Sequence, residues 1–212
     1  MSLVQRIVFG QIKKNSRVID CGCGDGSLLA DLIQKKDCEG YGIEQQFAQC
    51  MSAMGRGIPV FQGDILDGLR SFEDNAFDVA ILSQTLQQVL DPITVIHELC
   101  RVSKHVVVTF PNFGYWKVRW QLLVSGFSPK TKHLPYDWHN TPNIRVITIK
   151  DFKALCSKND IQIVKEIPLA KGQLQRLIFP LILTNFFTEK GIFMIQKAHG
   201  TLHEKPRAIG GL

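Results

Sequence analysis

Residues 17–26 read Arg-Val-Ile-Asp-Cys-Gly-Cys-Gly-Asp-Gly, and the fold hangs on how that stretch is read. Arg17 to Cys21 predicts a short buried strand in which Val18 and Ile19 supply β-branched core residues. The strand runs straight into glycines at alternate positions, Gly22, Gly24 and Gly26, before an apolar-periodic helix begins near Ser27. Glycine lets the backbone take positive φ and approach a ligand with no Cβ in the way. A tight glycine turn between a strand and a helix N-terminus is where doubly wound α/β folds hold nucleotide-like ligands. The spacing here is G-x-G-x-G and not the G-x-G-x-x-G of dinucleotide binders. Asp25 places an acid inside the loop, which would repel a pyrophosphate but suit a zwitterion or a sulfonium cation. The plain alternative is a glycine-rich turn that holds no ligand.

Outward from this turn, the chain alternates helix and strand. Leu3 to Lys13 predicts a first helix, and Ser27 to Lys36 a second with Leu28, Leu29, Leu32 and Ile33 on one face. Ser27 suits an early helix position, where its hydroxyl can satisfy a free N–H. Gly40 to Glu44 reads as the second strand, closed by Glu44, 18 residues after Gly26. A carboxylate there can accept hydrogen bonds from vicinal ribose hydroxyls; the alternative is a solvated strand end. A helix over 46–56 leads to a third strand, Pro59 to Gln62, which ends in Gly63-Asp64-Ile65. Asp64 can accept from an exocyclic amine while Ile65 packs a ring, or Asp64 can simply cap a helix. Asn75 to Leu82 predicts a turn and a fourth strand, which Ser83 to Gln88 follow at the carboxyl edge, where ligands bind in such sheets. Pro92 opens a helix to Cys100, and Arg101 to Phe110 carries the fifth strand.

Regular βα connections are short, so the segment of about 111–147 reads as a cap inserted over the ligand edge. It is basic and aromatic, with Tyr115, Trp116, Lys117, Arg119, Trp120, His133, Tyr136, Trp138 and His139. It is either a packed cover or a substrate lid and partner-docking surface. His133, Tyr136 and His139 are candidate bases by position alone, and Lys117 with Arg119 could hold a carboxylate. Thr148-Ile-Lys-Asp151 resembles a capping box with Asp in place of Glu, opening a helix to about Lys158. Ile161 to Leu169 and Gly191 to Lys197 predict the last two strands. Residues 1–198 then form one domain and 199–212 a flexible tail. The expected architecture is a three-layer doubly wound α/β sandwich with a seven-stranded, mostly parallel sheet and an antiparallel last strand.

Composition narrows the classes further. The chain has 212 residues, 45% hydrophobic and 21% charged, which describes a single ordinary globular core. The longest apolar run, Leu177 to Phe187, contains Pro180 and falls short of the ~20 residues that span a bilayer. No secretory signal pattern opens the sequence, so a cytoplasmic setting is expected. Six cysteines without a C-x-x-C pair predict reduced, buried thiols and no zinc site. A net charge of +6 makes nucleic-acid binding conceivable, but no recognised module accompanies it.

The D-x-G-x-G-x-G loop resembles the nucleoside-binding loop of class I S-adenosylmethionine (SAM)-dependent methyltransferases. Four stretches go beyond that generic loop: V-I-D-C-G-C-G-D-G (18–26), L-S-Q-T-L-Q (82–87), F-P-N-F-G-Y-W (110–116) and T-P-N-I-R-V-I-T-I-K-D-F (141–152). Together they are similar to the methionine-biosynthesis MetW family over about residues 15–168, with Cys21 standing where the family more often has an aliphatic residue. The resemblance implies a class I methyltransferase-like, Rossmann-like fold. It implies SAM or S-adenosylhomocysteine (SAH) held by Asp20, Gly22, Gly24, Gly26, Glu44, Asp64, Ile65 and Ser83. It also implies a role in the methionine pathway beside a MetX-like homoserine O-acyltransferase. These residues contain no G-x-S-x-G nucleophile elbow, so α/β-hydrolase acyl chemistry would have to come from a partner. Two readings stay open: a binding and regulatory subunit, and an active methyltransferase on a small carboxylate-bearing substrate. An RNA-modifying enzyme is a third, resting only on the basic and aromatic residues at 115–133.

Overall fold

The computed structural model describes residues 1–131, 134–167, 169–170, 173–174 and 183–198. Its elements run α1 (Leu3–Gln11), β1 (Arg17–Cys21), α2 (Ser27–Lys36), β2 (Glu39–Glu44), α3 (Phe47–Met54), β3 (Val60–Gln62), α4 (Ile65–Arg70), β4 (Phe77–Ser83), a 3-10 turn (Leu86–Gln88), α5 (Pro92–Val102) and β5 (Ser103–Pro111). Then follow α6 (Trp116–Ser125), α7 (Ile149–Lys158), β6 (Ile161–Glu166), the two-residue strands β7 (Leu169–Ala170) and β8 (Gln173–Leu174), α8 (Thr184–Phe187) and β9 (Lys190–Lys197).

The strand order β3-β2-β1-β4-β5-β9, with β6 on the far side of β9, makes a seven-stranded sheet of the expected kind. β1 to β5 pair in parallel, and β9 enters antiparallel between β5 and β6. The β7–β8 hairpin, which the sequence reading does not foresee, touches β9 through Leu169 opposite Lys190.

Both faces are covered, and the strands alternate between two cores. Ile19, Ala80, Leu82, Val106, Val108 and Phe110 point to one side, where α5 and α7 add Val95, Ile96, Leu99 and Phe152. Val18, Val79, Ile81 and Val107 point to the other, against Val4, Ile7 and Val8 of α1 and Leu28, Leu29 and Leu32 of α2. Burial on both faces is why these strands read as continuous apolar runs.

β1 and α2 fall where the sequence places them. α1 stops at Gln11, short of Lys13, because Ile12 leaves the helix with φ −89° and ψ 132° and is itself buried. β6 ends at Glu166, short of Leu169, after a register shift between Ile163 and Lys165. The Thr148–Asp151 box forms in full: Thr148 Oγ1 accepts from Asp151 N, and the Asp151 carboxylate accepts from Thr148 N. Ser27 does not cap α2; its hydroxyl accepts from Gln5 Nε2 at 3.3 Å, while Asp25 Oδ1 accepts Ser27 N at 3.1 Å. The expected tail, 199–212, and His133 lie outside the described residues.

Candidate functional site

A cavity of about 480 Å³ opens at the carboxyl ends of β1, β2, β3 and β4. In parallel sheets this is where the connections diverge and leave a crevice. Its walls are the Gly22–Gly24 turn, Glu44 to Gln46, Gly63 to Ile65, and the Ser83 to Leu90 segment.

The first turn is latched to the second strand. Gly22 N donates to Ile43 O at 2.7 Å, and Gly24 N donates to Glu44 Oε2 at 3.0 Å. The other Glu44 oxygen accepts Gln45 N at 2.9 Å and Gln46 N at 2.8 Å. One carboxylate therefore holds three main-chain N–H groups and fixes two pocket walls together. Charged acceptors make such bonds stronger than neutral ones.

The three glycines do different things. Gly24 faces open space, since a Cβ there would meet nothing nearer than Gln49 Oε1 at 4.0 Å. Gly22 takes φ 79° and leaves room for Thr85, whose hydroxyl would stand 2.5 Å from an added Cβ. Gly26 takes φ 73° beneath Ile58 and Ala53, turned from the cavity into the α2–α3 packing.

Asp20 lies under the turn, 3% exposed, with Oδ1 lacking a hydrogen-bond partner. Burial, reinforced by the Glu44 charge, pushes its carboxyl up to about 7. Cys23, beside it, is pushed up to about 12 by burial and by the same two carboxylates, which leaves an unreactive thiol. All six cysteines are free and buried.

Of the residues expected to hold a ligand, Gly22, Gly24, Glu44, Asp64, Ile65 and Ser83 line one cavity, while Asp20 and Gly26 support it from behind. Asp64 fills both roles weighed for it. Its Oδ1 caps α4 by accepting Leu66 N at 2.8 Å, and the residue also lines the cavity. Ser83 Oγ shares a hydrogen bond with Thr109 Oγ1 at 3.1 Å.

Asp25 corrects the reading of the loop. It is not a pocket acid but a partner of Arg56, at 2.9 Å, on the outside of the turn. Tyr136 and His139 are exposed and do not reach the cavity. Arg119 and Lys117 do not reach it either: Arg119 Nε donates to Gly114 O at 2.7 Å and Lys117 sits over the Trp116 ring.

The F-P-N-F-G and T-P-N-I-R motifs have structural roles that spacing alone could not show. Asn112, 1% exposed, donates to Asn185 O and Thr188 O and accepts from Gly114 N and Ile149 N. It ties the end of β5 to the start of α7 and to the 185–188 turn. Ile144 N and Arg145 N both donate to Gln87 O, so the second motif grips the Ser83–Leu90 wall. The sequence reading places Gln84 and Gln88 at the ligand edge but misses Gln45, Gln46 and Gln49; all five line the cavity.

The model of the family described as "Methionine biosynthesis protein MetW" matches residues 4–195. The chain belongs to the MetW family. A curated relative from Rhodopirellula baltica, named "Bifunctional methionine biosynthesis protein MetXA/MetW", is 35% identical over 175 residues. That match covers 78% of this chain but 28% of the relative, so this MetW chain spans less than a third of that protein's length. Among solved structures, the putative methyltransferase complexed with the Haloferax volcanii Trm112 methyltransferase activator aligns with a TM-score of 0.64 at 13% identity, over 93% of this chain and 90% of that one. A Thermotoga maritima SAM-dependent methyltransferase, possibly acting on histamine, aligns with a TM-score of 0.60 at 17% identity, over 92% and 91%. At these identities the structures establish the shared fold: this MetW chain has a class I methyltransferase-like, Rossmann-like fold. Among the described residues no helix is long and apolar enough to cross a membrane.

Proposed function

We propose that this MetW chain is an adenosyl-ligand-binding subunit of methionine biosynthesis that works beside a homoserine O-acyltransferase. SAM or SAH fits the residues present. The observation that carries this reading is the cavity's polarity: its lining offers two carboxylates, five carboxamides and no cationic side chain among the described residues. A phosphate-bearing nucleotide would meet two carboxylates and no compensating cation there, whereas an adenosyl amino-acid zwitterion brings hydroxyls and amines for acceptors. The ribose would lie on Glu44, the adenine on Asp64 and Ile65, and the amino-acid end between the Gly22–Gly24 turn and Ser83, above the orphaned Asp20 oxygen. When bound, SAM supplies a sulfonium methyl group.

Among the described residues the lining also holds no His, Lys, Tyr or Cys to act as a base. This favours binding over methyl transfer to a protonated acceptor. Calorimetric titration with SAM, SAH and ATP tests the reading. Binding of an adenosyl compound but not ATP is expected, and indifference to SAM and SAH would overturn it.

The fused MetXA/MetW relative supports the partner. The cap supports a surface for it: α6 buries only Val118 and leaves Trp120, Leu122, Leu123 and Val124 exposed, with Phe127 and Trp138 beside a groove on the same cap. Solvated apolar side chains clustered in this way mark an interaction face. Leu123→Glu with Phe127→Glu is expected to abolish co-purification with the acyltransferase while leaving the thermal midpoint unchanged. Undiminished acyltransferase activity when this chain is omitted would sink the partnership.

A further inference from the structure

The Ser83–Leu90 wall is held from both sides. Toward the sheet, Gln84 adopts φ 60°, a left-handed conformation that a non-glycine keeps only when its surroundings impose it. Thr109 does so: its carbonyl accepts Gln84 N at 2.9 Å and its hydroxyl accepts Gln84 Nε2 at 3.0 Å. Away from the sheet, Gln87 O accepts Ile144 N at 3.0 Å and Arg145 N at 3.1 Å, and the Arg145 guanidinium donates to Leu90 O. Neither Ile144 nor Arg145 lines the cavity, yet each bonds a wall that does.

Gln87 carries the connection between the two sides. Its side chain is 3% exposed, its Nε2 donates to Gln84 O at 2.6 Å, and its Oε1 has no partner. A buried, unsatisfied carboxamide marks a wall whose hydrogen bonding is incomplete in this arrangement. Beyond it, Ile144 and Val146 are 54% and 73% exposed, so the outer clamp continues directly into open apolar surface.

We propose that Arg145 is a positioning residue for the pocket. Through Leu90 and Gln87 it sets the 84–90 wall, so that an adenosyl ligand and the 144–146 segment stabilise one another. The coupling is reciprocal by linkage: what steadies the clamp tightens the ligand, and the ligand steadies the clamp. The inference rests on the adenosyl reading of the cavity and adds a route by which occupancy reaches the protein's surface.

Amide hydrogen exchange of the full chain with and without SAH, and SAH calorimetry on wild type, Arg145→Ala and Arg145→Lys, test it. SAH is expected to slow exchange at the Ile144 and Arg145 amides. Arg145→Ala is expected to weaken SAH binding roughly five-fold, and Arg145→Lys, which keeps one donor for Leu90 O, to recover part of that loss. A residue that served stability alone would lower the thermal midpoint and leave the SAH-dependent protection intact. If SAH binds wild type but exchange at 144–145 does not respond and Arg145→Ala binds equally well, the coupling is wrong while the pocket stands. If wild type ignores SAH, the pocket reading falls and takes the coupling with it.

Discussion

Glu44→Gln is the sharpest perturbation of the site, because it preserves the side chain's shape and changes only what it can accept. The carboxylate holds Gly24 N through one oxygen and Gln45 N and Gln46 N through the other. A carboxamide has one oxygen and one NH2 group. If its oxygen faces Gln45 and Gln46, the NH2 opposes Gly24 N–H; if it is flipped, the NH2 opposes two N–H groups. The first arrangement is less costly and leaves one half-buried donor unpaired, at ~1–3 kcal/mol. Taking about 2 kcal/mol as the cost of holding the turn in its latched form, SAH affinity should drop roughly 30-fold, since 1.4 kcal/mol is tenfold. The same loss lowers the thermal midpoint by roughly 4–8 °C for a domain of this size. Calorimetry with SAH and a denaturation scan measure both. A Glu44→Gln chain that binds SAH within about threefold of wild type would refute the latch, because the mutation cannot spare all three N–H groups.

Asp20→Asn tests the buried carboxyl through pH. The folded-state value of about 7 lies above the ordinary 3.8, so the neutral form is the one the fold prefers. Its favourable contribution is complete below about pH 4 and is lost as pH rises through 7, a span worth on the order of 4 kcal/mol. Asn cannot ionise, so the variant should gain stability relative to wild type between pH 5 and pH 8; parallel urea midpoints at both pH values would count against the burial argument. Asn112→Leu removes four hydrogen bonds at a 1% exposed position and strands two carbonyls and two N–H groups. A loss of about 3 kcal/mol or more in chemical denaturation is expected, and a loss under about 1 would mean water replaces the side chain. Gly24→Ala and Gly26→Ala should separate binding from folding. Both glycines sit at positive φ, so either Ala costs some stability; the first puts a methyl group toward the cavity and should weaken SAH, while the second also drives Cβ to within 2.5 Å of Ile58 Cδ1 and should lower the thermal midpoint further. Equal effects of the two on SAH affinity would show that the glycines are not divided as described.

The sheet was legible because its strands are buried on both faces, so Val18-Ile19, Val79 to Leu82 and Val106 to Val108 announce themselves as apolar runs. Glu44, Asp64 and Ser83 were legible for a different reason: each stands at or just past the end of a parallel strand, and parallel strands bring their ends to one edge whatever lies between them in sequence. Direction was not legible. Gly22, Gly24 and Gly26 look alike on paper, yet they meet Thr85, the open cavity and the Ile58–Ala53 pair. Asp25 sits next to the cavity-lining Gly24 and faces Arg56 instead. Asn112 and Gln87 escaped because, apart from the nearby Gly114 and Gln84, what they bond lies 37 to 76 and 57 to 58 residues away in the chain, on segments whose approach depends on the whole fold.

The residues hardest to foresee are those that make the pocket respond to the rest of the molecule. The carboxylates and carboxamides that line the pocket stand on turns that must themselves be held in place, so ligand affinity depends also on what holds the backbone. Glu44 holds one wall, and Gln87 with Arg145 holds another. Substitution at either place should therefore alter ligand affinity without altering any atom that lines the cavity at Gly22, Gly24 or Ile65. A sequence pattern built on ligand contacts alone would overlook Arg145, although it stands inside one of the two motifs most specific to this chain.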